Sequence, residues 1–225
     1  MITSHTLVRN GQPFISLVLR QVEPLIDKMF ITISKKSSDR TLETVVRFED
    51  EHPQKVKLLF EDVEVAGDLT KERQKQLDYT EDGSWVLFLD DDDYWPSISL
   101  GQIKRILNMD VDAFAISPIQ LIDKKTQDIS WNNRWFTKFF KKQKGVCYKH
   151  PWPKDLIYKD DEMLYWKKNK RVMRIEPKFI HLSYLKGQSF RKEQGFEKYN
   201  LKVGQIQEVG EVWKDDIEKI YECLR

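Results

Sequence analysis

The chain has 225 residues and a mass of 26.9 kDa, which is enough for one substantial α/β domain. Lys and Arg number 38 against 36 Asp and Glu, and hydrophobic residues make up 40%, so the composition is that of a globular rather than a disordered protein. The formal net charge of +2 gives no case for a nucleic-acid partner. Cys147 and Cys223 lack the spacing of a zinc site and indicate neither a structural metal nor a disulfide framework.

The sequence also bears on the compartment. No apolar run approaches the roughly 20 residues that a membrane-spanning helix needs. The N-terminal residues lack the charged and then apolar build of a signal peptide. We therefore expect a cytoplasmic protein without a transmembrane segment, for which peripheral membrane contact stays open.

Strands and helices are predicted to alternate over the first half of the chain. The predicted strands are residues 2–8, 29–34, 56–60, 85–89 and 112–117. Helices are predicted between them, at about 14–21, 41–51, 70–79 and 96–107. The fourth strand has five consecutive apolar residues, which is typical of a strand buried on both faces. The alternation predicts a Rossmann-like, mostly parallel central sheet flanked by helices.

The pattern is less regular beyond Pro118, where aromatic and basic residues crowd together. They are Trp131, Trp135, Phe136, Phe139, Phe140, Tyr148 and Trp152, with Lys138, Lys141, Lys142 and Lys144. Each aromatic residue taken singly is expected to complete the core. The cluster as a whole has the composition of a substrate surface, because aromatic faces stack on sugar rings and lysines attract phosphates. Residues 204–225 are predicted to form a surface helix with one apolar stripe.

Four consecutive aspartates, Asp90, Asp91, Asp92 and Asp93, directly follow the buried fourth strand, and we call them the carboxylate cluster. Ionised carboxylates at this density repel one another, so a bound cation or full solvation must compensate them. Open α/β folds bind ligands at the carboxyl edge of the sheet, and this position favours Mg²⁺ or Mn²⁺ held with diphosphate oxygens. The alternative is a solvated turn that stabilises the N-terminus of the helix entered at Pro96.

Other carboxylate and nucleotide-binding motifs do not fit. A haloacid-dehalogenase-type phosphatase needs Asp-x-Asp-x-Thr/Val, and the fifth position counted from Asp90 is Tyr94. The P-loop string G-x-x-x-x-G-K-[ST] and the dinucleotide-binding string G-x-G-x-x-G are both missing from the sequence. These enzyme classes are therefore set aside.

Several segments resemble, in the same order, motifs of family-2-like glycosyltransferases of the GT-A fold. The segments are HTLVRNGQPFISLVL, SSDRT, WVLFLDDDDYWP and FIHLSYLKGQSFR. The resemblance covers about the first 110 residues and a patch near His181. It implies a single GT-A-like domain over 1–225, with a nucleotide-sugar-binding half at 1–117, an acceptor-side half at 118–203 and a C-terminal helix at 204–225. The chain departs from the family pattern at Gly11, where Glu is common, and at Ser34, where many members have Asp at the end of the second strand.

The resemblance also implies roles for individual residues. Asp90 and Asp92 correspond to the two aspartates of the Asp-x-Asp motif and are the implied metal ligands, with Asp92 as the more direct of the two and with Asp91 and Asp93 as neighbouring groups. His181 is similar to a late histidine that GT-A enzymes supply to the metal, and the other interpretation is a hydrogen-bonded structural residue. The residues implied to contact the nucleotide-sugar donor are Val8, Arg9, Asn10, Asp39, Asp90, Asp91, Lys186 and Arg191.

An acidic segment late in the chain supplies the candidate catalytic base. Residues 158–164 resemble a Glu-Asp-x-Glu-Leu element, which implies that Asp160, or its neighbour Asp161, deprotonates the acceptor hydroxyl. The other interpretation is that this acidic cluster begins a helix running through Trp166, since carboxylates are favoured near a helix N-terminus.

The sequence thus predicts a metal-dependent, inverting glycosyltransferase of the hexosyltransferase type. It would transfer a sugar from a nucleotide-diphosphate donor to a hydroxyl of a glycan, a lipid-linked molecule or another acceptor, with Mn²⁺ or Mg²⁺. Two alternatives stay open. Gly11 and Ser34 suggest a degenerate protein that binds a nucleotide or glycan without turnover. A nucleotidyltransferase on a similar sheet is the other, although its glycine-rich opening loop is missing from the sequence.

Overall fold

The computed structural model describes residues 1–61, 69–149, 156–165, 167, 169–186 and 205–224. The α-helices described there are Ile15–Val22 (α1), Thr41–Glu51 (α2), Thr70–Asp78 (α3), Ser97–Ile106 (α4) and Lys214–Glu222 (α5). The first strands are Ile2–Val8 (β1), Lys28–Ser34 (β2), Val56–Glu61 (β3), Trp85–Phe88 (β4), Asp93–Tyr94 (β5) and Ala113–Gln120 (β6). The later strands are Thr126–Asp128 (β7), Phe136–Lys141 (β8), Val146–Lys149 (β9), Leu156–Lys159 (β10), Glu162–Met163 (β11), Val172–His181 (β12) and Ile206–Glu208 (β13).

The predicted alternation of strands and helices is confirmed over the first half of the chain. The first helix ends at Val22, and Pro24 lies in the 3₁₀ turn Glu23–Leu25 that follows it. Proline has no backbone N–H and its ring clashes with the preceding turn, so α1 cannot continue through this position. None of the described helices is both long enough and apolar enough to cross a bilayer.

Within the described residues, eight strands form one sheet in the order β3-β2-β1-β4-β8-β6-β12-β5. Neighbours among β1 to β4 are parallel, and β6 is parallel to β12. β8 lies antiparallel between β4 and β6, so the parallel strands on its two sides run in the same direction. Their carboxyl ends therefore share one edge of the sheet, as the mostly parallel prediction required. β5 is antiparallel to β12 and lies at the end of the sheet order.

β4 is a central strand, as its apolar run predicts. Successive side chains of a strand point to opposite faces of the sheet. Val86 and Leu87 are both fully buried, and they belong to two different apolar clusters. Leu87 is in the cluster that contains Val18 of α1 and Ile103 of α4, and Val86 is in the cluster that contains Leu77 of α3.

The aromatic stretch after Pro118 divides between the core and the surface. Phe139 and Phe140 on β8 are fully buried and complete the core as expected, whereas Phe136 at the start of β8 is 38% exposed. Lys138 is only 5% exposed. The prediction of a substrate surface is therefore wrong for Lys138, because β8 is inserted into the sheet and buries this side chain.

The C-terminal helix is shorter than predicted. α5 covers Lys214–Glu222, whereas Ile206 lies in β13 and pairs with Asp128 of β7. Ile217 and Ile220 are buried as the apolar stripe predicts, but Ile206 is 62% exposed. Backbone pairing with β7, which a single-sequence periodicity cannot reveal, replaces the first turns of the expected helix.

The acidic segment near residue 160 is a hairpin, so the prediction of a helix there is wrong. β10 and β11 pair antiparallel around Asp160 and Asp161, whose φ angles are 49° and 67°. Two-residue hairpin turns of type I′ need positive φ at both central positions, a conformation that Asp tolerates better than most residues. The turn preference of these two residues therefore favours a hairpin over a helix in this segment.

Tyr94 ties α5 to the sheet. Its ring is fully buried and its hydroxyl donates to Asp216 Oδ1 at 2.7 Å. We expect Tyr94→Phe to lower the free energy of unfolding by about 1 kcal/mol, the usual net value of one such hydrogen bond. Urea denaturation measures the difference. Tyr79→Phe removes a hydroxyl from a ring that is 51% exposed and should change stability by much less; equal losses in the two variants would contradict the role of the Tyr94 hydrogen bond.

His5 makes the stability of the fold sensitive to pH. It is fully buried in β1, with Nε2 2.7 Å from Thr80 Oγ1. Burial lowers the pKa of His5 well below 6.5, and the charges of Arg73 and Lys142 lower it further. The unfolded chain therefore binds a proton near pH 6.5 that the folded protein does not bind, so stability is lost as the pH falls below that value.

We expect the free energy of unfolding to fall by up to about 1.4 kcal/mol for each pH unit below about 6.5 because of His5. Urea denaturation at pH steps from 7.5 to 5 measures this slope. His5→Gln keeps a polar group towards Thr80 but does not titrate, so the difference between the two proteins isolates the histidine. Parallel slopes for wild type and variant would contradict the prediction.

Candidate functional site

The carboxylate cluster lies where several elements meet at the carboxyl edge of the sheet. After β4, the N–H of Leu89 donates to the carbonyl of His5, and the N–H of Asp93 closes a turn onto the carbonyl of Asp90. Asp93 begins β5, and its register with β12 places it opposite His181. This antiparallel pairing brings a histidine from late in the chain to the aspartates.

Asp90 is held by two buried cations. Its Oδ1 accepts a hydrogen bond from Arg73 Nη2 at 2.9 Å, and its Oδ2 accepts one from Lys138 Nζ at 2.7 Å. Arg73 also donates to the carbonyl of His5 at 2.9 Å and lies 3.8 Å from the ring centre of Phe88. Burial alone would raise the pKa of Asp90, but Lys138 and Arg73 lower it well below its ordinary value. Asp90 is therefore an ionised group whose two oxygens are already engaged.

Asp93 joins Lys138 to His181. Its Oδ2 accepts a short hydrogen bond from Lys138 Nζ, and its Oδ1 lies 2.9 Å from His181 Nδ1. Asp92 Oδ1 lies 3.6 Å from the same ring nitrogen. Burial alone would lower the pKa of His181, but Asp92 and Asp93 raise it above its ordinary value. The two carboxylates therefore favour the protonated form of this imidazole in the metal-free protein.

Lys186 faces the remaining side of the cluster. Its ammonium lies 2.9 Å from Asp91 Oδ2 and 3.6 Å from Asp92 Oδ2, and its side chain is 5% exposed. It closes the 3₁₀ turn Ser183–Lys186 that follows β12. Burial raises the pKa of Asp91 against the charge of Lys186. At Asp92 the effect of burial is overcome by Lys186 and His181, which lower the pKa.

Asp92, Asp93 and His181 form a group that fits a divalent cation. One carboxylate oxygen from each aspartate and one ring nitrogen of the histidine all lie within 4.8 Å of one another. Carboxylates suit Mg²⁺ and Mn²⁺, and an imidazole adds a nitrogen ligand of the kind that first-row transition metals accept. The predicted ligands Asp92 and His181 are brought together here. Asp90, which the resemblance also implied as a ligand, is not in this group, whereas its neighbour Asp93 is.

The end of β1 lies directly against the carboxylate cluster. A Cβ atom on Gly11 would stand 2.6 Å from Val8 Cγ2 and 3.1 Å from Asp91 Oδ2. Asn10 has a φ of 53°, and its Oδ1 accepts a hydrogen bond from the N–H of Ser38 at 2.7 Å. Packing therefore explains the glycine at position 11, because a larger residue would not let the turn after β1 approach Asp91 so closely.

Asp39 braces the same edge. Its Oδ2 accepts from the N–H of Gln12 at 3.0 Å and its Oδ1 from the N–H of Thr41 at 3.0 Å. These bonds join the turn after β1 to the start of α2. Val8, Arg9, Asn10 and Asp39 are thus gathered at the edge where the nucleotide pocket was expected, and their contact with a nucleotide stays a prediction.

The predicted base is not near this site. Lys159, at the end of β10, places its ammonium 3.0 Å from Asp112 Oδ2, just before the start of β6. This is the edge of the sheet opposite to the carboxylate cluster. Asp161 pairs with Lys149, and Asp160 packs on Gly145 beyond the end of β8. The structure therefore does not bring Asp160 or Asp161 to the cluster, and Arg191 and Trp152 lie outside the described residues.

Sequence reasoning missed two residues of the site, Arg73 and Lys138. A lysine between Thr137 and Phe139 in an apolar strand signals a buried charge, which needs a carboxylate partner. The position of β8 in the sheet, which identifies that partner, cannot be read locally. Arg73 carries no such signal, because its contact depends on how α3 packs over β1 and β4.

Aromatic residues border the candidate cation site. The ring of Trp131 lies 5.9 Å from that of His181 and stacks 6.2 Å from the exposed ring of Phe136. The guanidinium of Arg134 lies 4.3 Å from the Trp131 ring centre. This part of the aromatic and basic stretch therefore borders the candidate cation site.

Gly11→Ala tests the close approach of β1 to the cluster. The added methyl group would clash with Val8, which is only 2% exposed, and would press on Asp91. We expect the free energy of unfolding to fall by about 1 to 3 kcal/mol, the usual cost of overpacking. Urea denaturation measures this difference.

Gly101→Ala is the matched control. Gly101 lies within α4, and a Cβ atom there would meet nothing within 4 Å. Alanine has the higher helix propensity, so this variant should gain about 0.5 to 1 kcal/mol. A Gly11→Ala variant as stable as wild type would contradict the tight packing at Asp91.

No protein-family model matches the chain, and no curated protein does. Solved structures do match. Residues 1–349 of TarS from S. aureus align with 96% of this chain and 68% of that chain, with a TM-score of 0.55 and 16% identity. A mannosyltransferase from Pyrobaculum calidifontis in complex with GDP-Man and Mn²⁺ aligns over 52% of this chain and 35% of that chain, with a TM-score of 0.42 and 19% identity. A putative glucose-1-phosphate thymidylyltransferase from Bacillus anthracis aligns over 91% and 98%, with a TM-score of 0.46 and 10% identity.

At these identities the matches bear on the fold alone. Only the TarS alignment exceeds a TM-score of 0.5 among these three, and it spans nearly the whole chain. The names of the matched structures include both sugar-transferring and nucleotide-transferring enzymes. The chain has the GT-A-like glycosyltransferase fold that the motifs in its sequence predict.

Proposed function

We propose that the protein is a glycosyltransferase that transfers a sugar from a nucleotide-diphosphate donor to a hydroxyl acceptor with the help of a divalent cation. The observation that carries this proposal is the group of Asp92, Asp93 and His181 at the carboxyl edge of the sheet. The end of β1 lies directly beside it, which is where the resemblance implies a nucleotide pocket.

The chemistry of the cluster fits the departure of a nucleoside diphosphate. Asp92, Asp93 and His181 would hold Mn²⁺ or Mg²⁺, which would supply positive charge where the leaving diphosphate develops negative charge. Lys186 adds a second cation beside Asp91 and Asp92. Lys138 holds the candidate ligand Asp93, and Lys138 and Arg73 together hold Asp90 beside it, so the role of these two cations is to position the cluster.

The acceptor is proposed to approach along the aromatic residues next to His181. Trp131 and Phe136 offer stacked rings there, and aromatic faces suit the apolar faces of sugar rings. Asp160 and Asp161 have no part in this proposal, because they lie at the opposite edge of the sheet. An inverting outcome therefore stays an expectation from the sequence resemblance.

Asp92→Asn tests the proposal. Removal of one charged ligand should weaken Mn²⁺ binding at least tenfold, and it should reduce release of nucleoside diphosphate from UDP- and GDP-sugars in parallel. Calorimetry with Mn²⁺ and a donor-hydrolysis assay measure the two effects. Asp50→Asn is the control, because Asp50 is an exposed residue of α2 away from the cluster.

The same assays separate the alternatives. Pyrophosphate release from a nucleoside triphosphate, without donor hydrolysis, would identify a nucleotidyltransferase. Binding of nucleoside diphosphate that depends on Mn²⁺ and Asp92, without any turnover, would identify a binding protein. A wild-type protein that binds neither Mn²⁺ nor nucleoside diphosphate would contradict the proposed function.

A further inference from the structure

Lys186 contacts an aspartate that a bound divalent cation would also need. Its ammonium contacts Asp91 at 2.9 Å and Asp92 at 3.6 Å, and its side chain is almost fully buried. Asp92 is at the same time one of the three candidate cation ligands. A divalent cation on Asp92 and an ammonium on the same carboxylate repel each other, so the two compete for this aspartate.

The other two cations of the site are fixed by the fold. Lys138 lies on β8 in the middle of the sheet and bridges Asp90 and Asp93. Arg73 is held by Asp90, by the carbonyl of His5 and by the face of Phe88. Neither contacts Asp92 in a salt bridge within 4 Å among the described residues.

Lys186 differs from Lys138 and Arg73 in the structural element that carries it. It is the last residue of a single 3₁₀ turn that follows β12, outside the sheet. A long side chain on such a turn can turn away from Asp92 without breaking a strand pairing. Among these three cations it is therefore the one suited to exchange partners.

We propose that Lys186 is an exchangeable counter-ion, which holds Asp91 and Asp92 in the metal-free protein and moves its ammonium onto the donor diphosphate when the divalent cation takes Asp92. This inference rests on the proposed function. One lysine then serves two anions in turn, so it opposes the metal when no nucleotide is present and supports the nucleotide once the metal is bound. The two ligands are thereby coupled, and each strengthens the binding of the other.

Lys186→Met tests this inference because it keeps an unbranched side chain only one atom shorter and removes the charge. Calorimetry gives the affinity for Mn²⁺ alone, and then the affinity for UDP and for GDP at saturating Mn²⁺. We expect the variant to bind Mn²⁺ alone at least fivefold more tightly than wild type and to bind the nucleoside diphosphate at least tenfold more weakly. The opposite signs of the two changes are the signature of an exchanged counter-ion.

Lys178→Met is the matched control. Lys178 lies on β12, three residues before His181, and its ammonium is 5.2 Å from the Trp135 ring centre rather than on a carboxylate of the cluster. Loss of this charge should shift both affinities by less than twofold. Lys186→Gln repeats the comparison with a polar side chain if the methionine variant does not fold, as judged by circular dichroism.

The outcomes separate this inference from the proposed function. A folded Lys186 variant that binds Mn²⁺ more weakly than wild type would make Lys186 a mere support of the cluster and overturn the exchange. Unchanged affinities for both ligands would also overturn it, while leaving the proposed function intact. A wild-type protein that binds neither ligand would overturn both.

Discussion

The site depends on the compensation of four neighbouring carboxylates in a small, largely enclosed volume. A buried carboxylate without a partner becomes protonated or destabilises the fold, and here each aspartate faces a cation. The partners of the aspartates come from different parts of the chain. They are the cations Arg73 of α3, Lys138 of β8 and Lys186 of the turn after β12, together with the imidazole of His181 on β12. Folding and assembly of the site are therefore one event, because the cluster is neutralised only when these elements pack together.

The cations that compensate the four aspartates are held with different rigidity. Asp90 and Asp93 share Lys138, which lies on a strand with neighbours on both sides. Asp91 and Asp92 face Lys186, which lies on one short turn. The first pair is fixed by the sheet, whereas the second pair keeps a cation that can leave. This arrangement suits a site that accepts and releases charged ligands. Asp90 and Asp93 keep their positions, while Lys186 changes its partner when a ligand binds.

The two antiparallel strands of the sheet make this arrangement possible. β8 lies between β4 and β6 and delivers Lys138 to the carboxyl edge, although it runs against its neighbours. β5 pairs back onto β12 and sets Asp93 opposite His181. Parallel strands alone would gather chain ends at this edge, but they would not supply a lysine from the interior of a strand or a backbone pairing that fixes the histidine. The close approach of Gly11 to Asp91 completes the enclosure from the side of β1.

The sequence by itself determined the alternation of strands and helices in the first half of the chain and the burial of β4. It also determined that four aspartates follow β4. These features follow from local hydrophobic patterns and turn residues. The motif near His181 also pointed to the histidine that joins the cluster. Tertiary structure decided which aspartates come together with His181 in the candidate cation group, Asp93 rather than Asp90, and it placed the Asp160 turn at the far edge. The physical reason is that strand register and helix packing set these contacts between residues distant in sequence, and no local pattern encodes them.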